Sequence, residues 1–242
     1  RIEAGAGAAS ASSTNSRKMQ VEELMSKVIE ALGGEANWRK QKSRVATFDI
    51  DFVHQGVKGA GTQYAKAPNL AAGESVITAF GKTIATVSDY FNGADGGEEA
   101  SFAPAGKYSG KQLEDARLGA DFYSWLNWKT NYKKAELRGT AKVAGEEAFI
   151  VVFEPEKANK DTVYFSTKTF LPLKLESFSN SPTQNIDLPY SEAYSDYRPV
   201  DGVMIPFKTV NSSIGGGDVV TVLKEVRHNT EIPDRVFRPS KK

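Results

Sequence analysis

Cysteine is absent from the 242 residues. That excludes disulfides, thiolate metal sites, CxxCH haem attachment, a cysteine nucleophile and, within these residues, a lipidated N-terminal cysteine. Charge of one sign is also lacking. Lys and Arg number 31 against 30 Asp and Glu, a formal net charge of +1, so total charge points to neither nucleic acid nor an anionic surface. No apolar run approaches the roughly 20 residues that cross a bilayer, so no transmembrane span is expected. The start has no apolar signal core, so an export signal would have been removed or would lie before Arg1.

Catalytic motifs are missing as well. No GxSxG elbow is present, nor an SxxK motif with its companions. The only histidines, His54 and His228, lie far apart and read as solvated residues at the edges of loops rather than a zinc pair. Asp49 and Asp51 alternate with apolar neighbours and read as an outward polar stripe rather than a cation site. Gly215-Gly216-Gly217 lies between two strand candidates, as a flexible hairpin would, not before a helix as a phosphate loop would. No catalytic residue, metal or cofactor is expected.

What is present is periodicity. Residues 1–18 are rich in Ala, Ser and Gly and bury too little apolar area to offset ordering, so they read as a flexible linker or tether. Over 19–32, Val21, Leu24, Met25, Val28 and Leu32 recur at helical spacing, with Glu22 and Glu23 at the start and Gly33-Gly34 as the stop. A short helical piece follows over 35–41. The period then becomes two. Ala46, Phe48, Ile50 and Phe52 share one face of 43–53.

Further strands are expected over 57–65, 73–80, 82–92, 134–143, 147–154, 161–166, 171–179 and 218–227. Two more flank Asp201-Gly202, a pair suited to the φ > 0 positions of a tight hairpin. Pro206 in the second of these points to an edge or a bulge. The total is roughly ten strands in a meander. Ser109 to Gln112 resembles a capping box opening a central helical insert. The insert leads into the crowded aromatics Phe122, Tyr123, Trp125, Trp128 and Tyr132, read as core or as a ligand-facing lid. The fold class is therefore α+β, mainly antiparallel β.

Seven segments in order, LMSKVIEALGG, YAKAPN, FNGADG, DARLGADFYSWLNWKTNYKK, KVAGEEAFIV, VYFSTKTFLPLKL and SDYRPVDGVMIPF, carry a family resemblance over about residues 19–239. The chain resembles a bacterial envelope family described as outer-membrane lipoprotein-sorting-protein-like, in its acidobacterial form. A related domain follows reaction-centre-type cytochrome c subunits. The resemblance implies a lipoprotein-carrier-like half-barrel domain over 19–239, with a tail at 240–242. Such a domain is a curved, incompletely closed β-barrel with helices over the concave face. It places 19–32 in the mouth and 109–132 as a lid, and it matches Asp201 and Gly202 to a hairpin turn. The chain departs from the family where Gly97 stands in place of a frequent Trp.

The implied function is a non-enzymatic, exported protein, periplasmic or associated with the outer membrane, that holds a lipid, a lipoprotein acyl chain or another apolar ligand. Phe48, Ile50 and Phe52 would line the sheet side of the groove, and Leu24, Val28, Trp125 and Trp128 the helical side. The alternative is a structural subunit, its groove filled by its own side chains, docked on an envelope complex or a cytochrome partner. No nucleic acid partner is expected.

Overall fold

A computed structural model describes residues 19–181, 186–214 and 216–239. The expected tether at 1–18, the tail at 240–242 and Gly215 of the glycine hairpin lie outside the described residues.

Helix α1 (Val21–Ala31) forms where the apolar spacing predicts. It buries Leu24, Met25 and Val28, with Leu24 and Val28 fully inaccessible. Gly33 and Gly34 end it at φ +111° and +79°, values an L side chain rarely adopts. Helix α2 (Glu35–Lys40) follows. Its Trp38 Nε1 donates to the Leu32 carbonyl at 3.0 Å and ties the two helices together.

The chain then runs outward from the centre of a sheet. Strands β1 (Ser43–Phe52), β2 (Val57–Lys66), β3 (Leu70–Ala79), β4 (Lys82–Phe91), β5 (Gly96–Ala100) and β6 (Ala103–Lys107) form a meander to one edge. Helices α3 (Gly110–Gly119) and α4 (Trp128–Asn131) carry the chain to the opposite edge. From there β7 (Lys134–Val143), β8 (Glu146–Glu154), β9 (Asp161–Ser166), β10 (Pro172–Ser181), β11 (Ile186–Val200), β12 (Val203–Ser213) and β13 (Gly217–His228) return to the centre. Strand β13 pairs with β1, giving one antiparallel sheet of thirteen strands in the order β6-β5-β4-β3-β2-β1-β13-β12-β11-β10-β9-β8-β7.

The edges β6 and β7 do not pair, so the sheet is not closed into a barrel. It is nevertheless curled. Strands β4 and β9 are eight strand spacings apart, roughly 38 Å in a flat sheet at about 4.8 Å per strand. Residues of both line one cavity. The curved, open half-barrel expected from the sequence is the fold observed.

Two cores hold it. The larger joins α1, Trp38 and Trp128 to Val151, Phe153, Val163, Phe165, Val203 and Ile205. On the opposite face, Val45, Ala72 and Tyr90 pack beneath Ile232 and Phe237, the latter in a 3₁₀ turn (Asp234–Phe237).

Four expectations need correction. Strands β5 and β6 add to the expected set; their sequences, GGEEA and APAGK, lack the β-branched residues that mark a strand. Glycine is used there for closeness. A Cβ at Gly97 would stand 2.6 Å from the Gly106 carbonyl oxygen. Ser109 precedes α3 but makes no capping hydrogen bond. His228 is not a solvated loop residue: its side chain is 1% exposed, with Nδ1 3.1 Å from Asp201 Oδ2. The hairpin is as expected, with Asp201 and Gly202 at φ +51° and +84°. Pro206 marks neither an edge strand nor a bulge: β12 lies inside the sheet, Pro206 pairs with Tyr197 in an unshifted β11–β12 register, and the pairing of β12 with β13 starts beyond it, at Lys208.

Candidate functional site

Residues 110–132 form a strap across the mouth of the half-barrel, built from local polar contacts. The Asp121 carboxylate accepts from the Asn127 side chain at 3.0 Å, the Asn131 side chain at 2.6 Å and the Tyr123 backbone N–H at 3.0 Å. These bonds fold the aromatic run into a compact turn ending in α4. The strap is pinned on both sides of the sheet. On one, the Phe122 N–H donates to the Pro68 carbonyl and the Tyr123 hydroxyl to the Gln41 carbonyl, at 3.0 and 2.8 Å. On the other, Asp115 of α3 accepts from the backbone and side chain of Asn159, each at 2.8 Å, and Asn159 also donates to the Phe178 carbonyl.

Beneath the strap lies a cavity of about 1030 Å³. A second of about 440 Å³ adjoins it toward α2, and Arg44, Ala71, Asp89, Trp125 and Tyr194 line both. Cavities of this size hold small amphiphiles and cofactors. Its apolar wall includes Phe91, Leu118, Trp125, Phe153, Val163 and Leu175. A further depression of about 800 Å³ along β2–β6 is lined mainly by short side chains such as Ala60, Thr62, Ser75 and Thr86.

The polar wall follows from register. Residues opposite one another on paired strands share a face. Tyr190 of β11 pairs with Ser177 of β10 and Ser213 of β12, and Glu192 pairs with Leu175 and Asn211. All six line the cavity, with Asp161 beside them. The Asp161 carboxyl accepts from Ser177 at 2.7 Å and Tyr132 at 3.1 Å. The Glu192 carboxyl accepts from Tyr194 at 2.9 Å. Burial raises the Asp115, Asp161 and Glu192 carboxyls above their ordinary range, and Asp89 likewise. Burial, with the neighbouring acids, pushes the Tyr190 hydroxyl up to about 12 and holds Tyr132 and Tyr194 higher still. The tyrosines are thereby held neutral, and the carboxyls are shifted toward protonation. Among the described residues no group of three or more His, Asp or Glu is placed to hold a metal ion.

The seven residues expected at the groove are divided by the structure. Trp125 lines both cavities and meets Phe165 edge to face at 5.6 Å. Leu24, Val28 and Trp128 are packed into the core, Trp128 against Phe153 at 6.5 Å between ring centres. Phe48 and Ile50 lie over glycines of β2. A Cβ at Gly61 would stand 2.6 Å from Phe48 Cζ, and one at Gly59 would stand 3.4 Å from Ile50 Cδ1. Phe52 is partly exposed at the far end of β1, paired with Val219.

Polar residues of β11 face inward, unlike the stripe read at Asp49 and Asp51 of β1. The tyrosines there bring apolar rings and bondable hydroxyls to the inner face together. The signal was Tyr190, Glu192 and Tyr194 at alternate positions, with the small residues Ser191, Ala193 and Ser195 between them.

No protein-family model and no curated protein sequence matches the chain. Solved structures do, at low identity. A LolA superfamily protein from Nitrosomonas europaea is similar at 14% identity with a TM-score of 0.57, over 92% of this chain and 99% of that one. A domain described as an outer membrane lipoprotein-sorting protein, from Vibrio parahaemolyticus, is similar at 12% identity and a TM-score of 0.58, over 89% and 94%. A DUF1329 family protein from Desulfovibrio piger is similar at 12% identity and a TM-score of 0.57, over 90% and 97%. At these identities the likeness is one of fold.

Proposed function

We propose that this chain is a non-enzymatic binding protein of the bacterial envelope that holds an amphiphile, a lipid or an acyl chain, in the cavity beneath the strap. The observation that carries this is the cavity itself: about 1030 Å³ between a curled sheet and a strap pinned at both sides, with an aromatic and aliphatic wall. Each methylene buried there contributes roughly 0.8 kcal/mol, so a chain of modest length binds without a dedicated polar contact. The inward polar groups are tyrosines and carboxyls already engaged with the wall: Asp161 accepts from Ser177 and Tyr132, and Glu192 from Tyr194. The fold likeness to LolA superfamily and lipoprotein-sorting proteins supports the same reading, and with it export to the periplasm or the outer membrane. Residues 19–239 would act as one unit, with Trp125 among the ligand contacts.

The test is binding of a fluorescent fatty acid, with displacement by long-chain lipids. Saturable binding should be lost in Ala116→Phe, which adds a ring from α3 into the cavity, with the melting temperature kept. Absence of saturable binding by the parent, or equal binding by the variant, contradicts the reading. Purification from the native source with bound protein subunits and no lipid would favour a structural subunit instead.

A further inference from the structure

The cavity has one basic residue in its wall, and that residue has no partner. Arg44 sits on β1, opposite Ala65 of β2 and His228 of β13. Its neighbour Val45 faces the opposite core under Phe237, so strand alternation sends Arg44 to the concave side. There it lines both cavities. Among the described residues it makes no hydrogen bond and no ion pair. Burial lowers its pKa, with no carboxylate opposing the shift. A guanidinium carries five donors in a planar fork, and here the side chain is only partly buried and opens its donors to the cavity.

The acids of the same wall do not answer it. Asp115, Asp161 and Glu192 already accept from Asn159, from Ser177 and Tyr132, and from Tyr194. Asp89 lies on β4, three strands from β1.

The surroundings of Arg44 are apolar in one direction. Ala65, Ala71 and Phe91 continue its cross-strand row over β2, β3 and β4. The row reads as a cation, then two small residues, then a buried aromatic ring, with Trp125 and Leu118 above it from the strap. A charged head beside Arg44 would have its tail laid along that trough.

Resting on the binding reading above, we propose that Arg44 anchors the anionic head, a carboxylate or a phosphate, of a single-tailed amphiphile held in this cavity. The fork geometry suits either anion in a bidentate pair, so the tail and the charge are specified and the acid is left to measurement.

The experiment is competition against a neutral fluorescent probe, the methyl ester of parinaric acid, bound to the whole chain. Palmitate, hexadecyl phosphate and hexadecanol share one tail and differ in the head. At least one of the two anions should compete about tenfold or more tightly than the alcohol, the effect of one charge-assisted pair. The tighter of the two identifies the acid. Arg44→Gln should bring that anion down to the level of hexadecanol and leave hexadecanol itself unchanged. Arg44→Lys should fall between. In the ligand-free state Arg44→Gln should melt no lower than the parent, because no hydrogen bond or ion pair is lost with the guanidinium.

Hexadecanol competing as well as both anions, or Arg44→Gln leaving the anions untouched, would overturn the anchor while keeping the cavity as a lipid site. Equal loss of all three competitors in Arg44→Gln, with a lowered melting temperature, would make Arg44 structural and also overturn it. Failure of the probe to bind the parent would remove the binding reading, and the anchor with it.

Discussion

Gly33 and Gly202 meet backbone to backbone: a Cβ built on Gly33 would stand 2.2 Å from the Gly202 carbonyl oxygen and 2.8 Å from the Val203 Cα. The end of α1 is thereby pressed onto the β11–β12 hairpin, and the Met204 N–H donates to the Leu32 carbonyl at 3.0 Å in the same contact. Gly33→Ala adds a clash with backbone to a strained φ of +111°. A loss of about 3 kcal/mol is expected. Gly202→Val, at φ +84° and with Asn37 side-chain atoms 3.1 Å from its Cβ, should lose stability as well. Urea unfolding checks both, and an unchanged midpoint for Gly33→Ala would mean the contact does not exist.

Leu24 separates core from cavity. It is fully buried in the cluster with Val151, Phe153 and Phe165, away from the cavity wall. Leu24→Ala should cost about 3 kcal/mol, as core truncations of this kind do. Affinity for a fatty-acid probe, measured where the variant is still folded, should be unchanged. A large loss of affinity at full folding would place Leu24 at the ligand instead.

The cavity carboxyls set a pH dependence of stability. Burial raises the Asp161 carboxyl above 3.8, with the bonds from Ser177 and Tyr132 pulling the other way. A carboxyl raised on folding contributes stability that is complete below the unfolded value and lost as pH rises through the folded one. Asp161→Asn should therefore lose less stability than the parent as pH rises from about 4 in urea titrations. Parallel curves for the two proteins would contradict the burial assigned to this group.

His228 works in the opposite sense. Burial lowers its pKa below 6.5, and the Asp201 carboxylate only partly compensates. Nε2 is buried without a partner among the described residues, so a proton there would have no acceptor. The group contributes stability above the unfolded value, and that contribution is lost as pH falls through the folded one. His228→Gln should flatten the loss of stability between about pH 7 and about pH 5. A steeper loss in the variant would show that the imidazolium is well accommodated.

The sequence was legible wherever one physical rule acts alone. Leu24 and Val28 sit on a helical period that any core-facing helix needs, and Asp201-Gly202 supplies two positive-φ residues that the turn uses. Strands β5 and β6 were hidden because glycine and alanine there serve close approach and an exposed edge, not burial. The cavity wall was hidden for a different reason. Tyr190, Glu192 and Tyr194 face inward because their partners Ser177, Leu175, Asn211 and Ser213 do, a consequence of register among β10, β11 and β12 that no single strand displays. Phe48 has the period of an inward residue, but the glycine that receives its ring, Gly61, stands on the neighbouring strand and is not visible from the period of β1.

The most direct measurement is native mass spectrometry of the chain purified gently from its own source, followed by solvent extraction of whatever it carries. An occupied cavity should give one amphiphile per chain, released by extraction, with the extracted compound an acid bearing a single apolar tail and absent from Ala116→Phe prepared the same way. A bare chain that also fails to take up added fatty acid would contradict the account at its centre.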